Sequence, residues 1–185
     1  MASYRGKRLF DLTITAVAVV VFAPVLCCIA VLIWLEDRGS PLFRQTRVGR
    51  FRRPFATLKF RTMRDGVVTH TGKWLRRTGI DELPQFFNVW RGEMSVVGPR
   101  PLTEADITRL GWSDPSYDWR FEVKPGITGL SQLLAGNGAK ASRRFDRYYL
   151  RHKNLILDIR LVTISFLANL IGKQAAKKLL WGRFR

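Results

Sequence analysis

The chain has 185 residues and a formal net charge of +18, from 32 Lys and Arg against 14 Asp and Glu. That length holds one globular domain with an appended element, and that charge points to anionic partners: nucleic acid, an anionic membrane face or phosphorylated small molecules. Hydrophobic residues make up 46% of the chain, which excludes a disordered basic tail because there is apolar surface enough to build a core.

The first element in chain order is Leu12 to Leu35, "LTITAVAVVVFAPVLCCIAVLIWL", 24 residues without a charge. A straight helix of that length is about 36 Å long, enough to cross a bilayer. Arg5, Lys7 and Arg8 resemble the start of a secretory signal, but the run exceeds a usual signal core and lacks a small-x-small cleavage site. Basic residues flank both ends. From Arg38 to Arg64 there are nine, with no acid between them, and positive flanks favour the cytoplasmic side. One crossing cannot satisfy both. Pro24 removes a helical hydrogen bond mid-run and bends the axis. A helix that enters, turns at Ala23-Pro24 and leaves by the same face reconciles the flanks; a kinked spanning helix is the alternative, since proline is tolerated there. Cys27 and Cys28 are neighbours in this run and provide no disulfide framework, so the remainder reads as cytoplasmic. With both cysteines in that run and only His70 and His152 besides, the composition argues against a zinc site, and the two histidines, among polar or basic neighbours, read as exposed.

Residues 41 to 63, "PLFRQTRVGRFRRPFATLKFRTM", predict a strand, an arginine-rich turn and a second strand. "RDGVVTHTG" reads as a polar link to a small basic helix around Trp74 to Arg77. "DELPQFFNVWRG" predicts the next helix, and "EMSVVGPRP" an extended apolar segment ending in a rigid turn. "EADITRL" is helical, "DPSYDWRFEVKPGITGLSQL" is loop and then strand, and Ser142 to His152 is helical. Residues 155 to 172 form a mostly apolar helix carrying Asp158, Arg160 and Asn169. "KQAAKKLLWGRFR" then ends the chain with cations beside Trp181 and Phe184, a composition suited to a helix lying in a membrane interface, with a packed core helix as the alternative.

Asp81 and Glu82 are adjacent acids in this basic context. Alone they read as a helix start, Asp81 as N-cap and Glu82 in the first turn, with Pro84 where no N–H is needed. A helix N-terminus also attracts phosphate. With Lys59, Arg61, Arg76, Arg77 and Arg100 to neutralise the phosphate, a carboxylate there is a candidate nucleophile toward phosphorus. Pro99 and Pro101 fix the backbone on both sides of Arg100, so its guanidinium loses little freedom on binding phosphate.

These segments together resemble the bacterial sugar transferases, the small monotopic phosphoglycosyl transferases that act on polyprenol phosphate. "KRLFD", "FRQTRVG", "KFRTM", "LRRTGIDELPQFFNVWRGEMSVVGPRPL", "VKPGITG" and the spaced "YYL…LDIRL" follow in the family's order from Lys7 to Leu161. The resemblance implies an α+β chain: a re-entrant membrane helix (1–38) bent at Pro24, one small mixed α/β catalytic domain with interfacial amphipathic helices (39–172), and a basic interfacial tail (173–185). It places the protein on the cytoplasmic face of the bacterial inner membrane. Its partners would be a UDP-sugar, polyprenol phosphate and membrane lipid, not nucleic acid. Asp81 would attack the sugar-proximal phosphorus and expel UMP; Glu82 would assist the lipid phosphate; Mg2+ would bind at Asp81; Lys59, Arg76 and Arg100 would bind phosphate or nucleotide. Two departures stand out: Ala23 replaces a common serine before the proline, and Gly136 replaces an arginine after the PGITG turn. Arg143 or Arg144 would compensate for the second. The competing reading is a membrane-tethered basic module that binds nucleic acid or anionic lipid without chemistry.

Overall fold

The computed structural model of the chain describes residues 3–134 and 138–171. The apolar run lies in one helix, α1 (Lys7–Asp37), which continues through Pro24 and ends where Arg38 turns left-handed at φ 57°. By length and composition this helix is long enough to cross a membrane. Its middle exposes Val17, Val20, Val21 and Val25. Its two ends, in contrast, both pack on the same globular domain. At the start Lys7, Asp11 and Thr15 are buried, and at the far end Ile29 and Ile33 join Phe60 and Leu75 in a small core. Asp37 pairs with Arg61, and the Glu36 carboxylate accepts from the His70 amide at 2.8 Å.

The predicted strand pair forms β1 (Leu42–Val48) and β2 (Pro54–Phe60), antiparallel from Leu42 opposite Phe60 to Val48 opposite Pro54. The segment read as a polar link holds more structure than expected. Asp65 and Gly66 both take positive φ, the geometry of a two-residue hairpin turn, and they join β3 (Met63–Arg64) to β4 (Val67–Val68). Helix α2 (His70–Thr78) follows, with the Thr69 hydroxyl accepting from the Gly72 amide at its N-cap.

After the acidic pair come α3 (Gln85–Arg91), β5 (Ser95–Val97) and α4 (Glu104–Leu110); α4 opens with a reciprocal capping box between Thr103 and Asp106. The stretch Pro115–Glu122 is a 3₁₀ helix rather than a loop; Asp114 caps it and Pro115 presets its first turn. β6 (Gly126–Thr128) then pairs in parallel with β5, Ser95 opposite Gly126 and Val97 opposite Thr128. Helices α5 (Leu130–Leu134), α6 (Ala139–His152) and α7 (Leu155–Ile171) complete the described residues. The result is the expected mixed α/β domain with a long apolar helix at its N-terminal end.

The main core gathers Val89, Met94, Val97, Leu130, Tyr149 and Leu161. One face of α7 therefore packs inward, while Ile156 and Phe166 remain 63% and 58% exposed. An apolar outer face of that kind is unusual on a solvated surface and suits a membrane boundary. The basic tail at 173–185, with Trp181 and Phe184, lies outside the described residues.

Candidate active site

The acidic pair does not start a helix by capping it. Gly79, at φ 73°, ends α2 in the left-handed region, and Ile80–Glu82 form a single 3₁₀ turn. Helix α3 begins only at Gln85, behind Pro84, and no side chain caps it. The N-cap reading of Asp81 is thus corrected: Pro84 donates no hydrogen bond, and the 3₁₀ turn satisfies the nearby amides through Glu82 to Gly79 and Leu83 to Ile80. The Asp81 side chain is left without a structural duty in capping.

Its surroundings change its acidity. Burial first, and the neighbouring Glu82 second, push the Asp81 carboxyl above the usual aspartate range, with Lys59 and Arg76 opposing. Glu82 is held by Lys59, Nζ to Oε1 2.6 Å. Lys59 projects from β2, so the first hairpin supplies the cation that steadies the second acid. Arg76, on the last turn of α2, donates from Nε to the Thr62 hydroxyl at 2.8 Å. Arg77 is exposed on the same turn. Arg61 goes elsewhere: it pairs with Asp37 at the end of α1 and so ties the domain to the long apolar helix.

Beside Glu82 lies a narrow cleft of about 30 Å3, walled in part by Arg47, Thr57, Lys59, Gln85, Arg100 and Gln132. It is far smaller than a site enclosing a whole nucleotide sugar, about 300 Å3 or more. A group the size of a nucleotide sugar would therefore lie largely outside this cleft. The Thr57 hydroxyl is enclosed with no hydrogen-bond partner among the described residues. Arg100 stands exposed at the rim, and its backbone is clamped by two other arginines. The buried Arg120 donates to the Arg100 carbonyl at 2.7 Å while pairing with Asp146 at 2.8 Å. Arg47 donates to the Pro101 carbonyl and to Asp106, each at 3.3 Å. The stiffness expected from Pro99 and Pro101 is thus reinforced through carbonyls that proline leaves available.

Two glycine turns dock there backbone to backbone. The Gly126 amide donates to the Pro99 carbonyl at 2.8 Å and the Gly98 amide to Thr128 at 2.9 Å. A Cβ on Gly126 would sit 2.1 Å from the Gly98 nitrogen, so "VVGPRP" and "VKPGITG" require glycine where they meet.

Among the described residues no three His, Cys, Asp or Glu side chains converge as a metal cage. Lys59 already holds Glu82, which leaves the Asp81 carboxylate as the hard oxygen donor of the pair available to a cation such as Mg2+. Gly136 lies outside the described residues. Arg143 reaches the Tyr117 hydroxyl at 3.4 Å, and Arg144 is exposed on α6.

Sequence reasoning singled out neither Arg47 nor Arg120 as a site residue. It also missed a second cluster: Lys7 Nζ lies 2.9 Å from Asp11 and 2.8 Å from Asp158, both buried. Tyr149 and Tyr4 donate their hydroxyls to Asp158, each at 2.9 Å. Residues of "KRLFD", "YYL" and "LDIRL" thus meet in one ionic knot that fastens the start of α1 to α6 and α7.

The family model described as "Bacterial sugar transferase" matches residues 2–172. The chain belongs to this family. It is 37% identical to the UDP-glucose:undecaprenyl-phosphate glucose-1-phosphate transferase of Escherichia coli K12, over 91% of this chain and 41% of that protein. It is 38% identical to the UDP-N-acetylgalactosamine-undecaprenyl-phosphate N-acetylgalactosaminephosphotransferase of Aeromonas hydrophila, over 84% of this chain and 41% of the relative. It is also 38% identical to the exopolysaccharide production protein PSS of Rhizobium leguminosarum bv. phaseoli, covering 84% of this chain and 90% of that one. The chain therefore spans about two fifths of the length of the first two relatives and most of the third.

Proposed function

We propose that this chain is a membrane-associated phosphoglycosyl transferase that moves sugar 1-phosphate from a UDP-sugar to an undecaprenyl-type polyprenol phosphate, releasing UMP. The observation that carries the reading is a partly buried Asp81 carboxyl next in sequence to Glu82, which Lys59 holds and which lines an arginine-rimmed cleft, in a chain of this family. An Asp81 oxygen attacks the sugar-proximal phosphorus, and the bond to the bridging oxygen breaks, so that UMP leaves with that oxygen. The resulting aspartyl phosphosugar is then attacked by an oxygen of the polyprenol phosphate, which frees the carboxylate and yields a polyprenyl diphosphate sugar. Glu82 accepts a proton if the lipid phosphate arrives as a monoanion. Arg100, preset by Arg47 and Arg120, and Arg76 bind the donor phosphates, and Lys59 balances the charge of the acids. Asp81 would hold Mg2+ together with the donor diphosphate; when bound, that ion neutralises charge around the phosphorus under attack.

The membrane helix enters and leaves by the same face. Supporting this is the anchoring of both ends of α1 on one domain, because a crossing would separate them by about 30 Å of hydrocarbon. With basic residues on both flanks of the helix, such a path would leave the site at the cytoplasmic face of the inner membrane.

Purified protein incubated with a panel of UDP-sugars and undecaprenyl phosphate tests the proposal. UMP release and labelled lipid that both vanish in Asp81→Asn are expected. A chain that binds polyanions with steep salt dependence, indifferent to Asp81 and without UMP release, is instead a basic tether.

A further inference from the structure

A second cavity, larger than the cleft beside the acidic pair, lies elsewhere among the described residues. It measures about 580 Å3, sits against the start of α1, and shares no lining residue with the Glu82 cleft. Lys7, Arg8, Arg50, Lys124 and Lys153 line it, against the carboxylates of Asp11 and Glu122.

Most of these groups are already committed. Lys7 and Asp11 belong to the ionic knot, and Asp11 also accepts from the Ser95 hydroxyl and the Val96 amide. The Arg8 guanidinium donates to the carbonyls of Val89 at 2.7 Å and Trp90 at 2.8 Å, and Arg50 donates to the Glu122 carbonyl at 2.8 Å. Two lysines remain. The Lys153 Nζ is enclosed and has no hydrogen-bond partner among the described residues. The Lys124 ammonium and the Arg8 guanidinium converge on Gly92, where a Cβ would meet them at 3.4 and 3.8 Å. Burial, and then the facing Arg8, lower the Lys124 pKa; burial likewise lowers that of Lys153, with Glu122 opposing. An enclosed ammonium without a hydrogen-bond partner, as at Lys153, and an ammonium crowded by a guanidinium, as at Lys124, are each costly unless an anion joins them.

We propose that this cavity is an accessory anion site, separate from the catalytic cleft, that takes the phosphate of a lipid headgroup between Lys124 and Lys153, with Arg8 and Arg50 flanking. The rim favours a lipid source. Leu9, 71% exposed, lines the same cavity one turn before the apolar run begins, so cations and an acyl-facing side chain share one edge. This source assignment rests on α1 lying in the membrane; the anion site itself does not.

The full chain in maltoside detergent is titrated with dihexanoyl phosphatidylglycerol and, separately, with inorganic phosphate. Lys124→Gln and Lys153→Gln are each expected to weaken phosphatidylglycerol binding roughly tenfold, a charge-assisted contact apiece. UMP release in neutral detergent should remain at the wild-type rate, and the Tm of Lys153→Gln should match or exceed wild type, because an enclosed unpartnered cation is removed. Inorganic phosphate binding as tightly as the lipid, with the same loss in both variants, supports the site and assigns it to free phosphate. Unchanged affinity for both probes in the double variant overturns the proposal. Failure of UDP-sugar turnover with lipid binding intact counts against the Asp81 reading alone.

Discussion

Replacing Lys7 by Met tests what holds the apolar helix α1 to the domain. Lys7 is one cation between two buried carboxylates, at 2.9 Å from Asp11 and 2.8 Å from Asp158, with side-chain exposures of 10%, 4% and 0%. The knot carries one positive and two negative formal charges. Lys7→Met leaves two buried carboxylates facing each other with no cation between them. Breaking a buried pair in this way costs about 3–5 kcal/mol. For a chain of this size each kcal/mol moves Tm by about 2–4 °C, so the expected fall is about 6–20 °C. Asp158→Asn removes a negative charge instead, leaves Lys7 with Asp11, and should cost less. Thermal unfolding in detergent, followed by tryptophan fluorescence, reads both variants. A Lys7→Met Tm within 2 °C of wild type, or a larger loss for Asp158→Asn, refutes the reasoning.

Three further outcomes follow from the site. Because the folded-state pKa of Asp81 is raised, ionising it costs stability: its stabilising contribution is complete below the unfolded aspartate pKa and is lost as pH rises through the folded value. Asp81→Asn should therefore lose turnover yet melt no lower than wild type at neutral pH, with the difference vanishing in acid. Arg120→Lys keeps a cation against Asp146 but cannot also reach the Arg100 carbonyl; one lost hydrogen bond predicts a roughly 2–10-fold rise in KM for the UDP-sugar with kcat little changed. Steady-state kinetics of Arg143→Ala and Arg144→Ala test compensation for Gly136: one of them should slow transfer, and wild-type rates in both remove the idea.

How much was legible beforehand differs by element. The hairpin 42–60, the apolar helix and α4 announce themselves, because alternation, an uncharged run and a Thr-x-x-Asp capping box are local signals. Asp65-Gly66 is an equally local hairpin signal, but the polar composition of "RDGVVTHTG" makes the segment read as a link. Asp81 and Glu82 stand out as acids in a basic chain, but Asp81 is not the N-cap: both acids lie inside the 3₁₀ turn Ile80–Glu82 that follows Gly79, ahead of the α-helix at Gln85. Arg47 and Arg120 were beyond reach from spacing alone. Their work is done on the carbonyls of Pro101 and Arg100 respectively, across 54 and 20 residues of chain. Lys7, Asp11, Tyr149 and Asp158 were visible as motif residues without a reason. The reason lies in a contact between the two ends of the chain, and nothing local encodes it.

The most direct measurement is the intact mass of the protein after mixing with a competent UDP-sugar while the acceptor lipid is withheld. Attack by Asp81 predicts one added phosphosugar, mapped by peptide fragmentation to that aspartate, absent in Asp81→Asn and discharged when undecaprenyl phosphate is supplied. Full turnover on adding the lipid, with an unmodified aspartate beforehand, contradicts it.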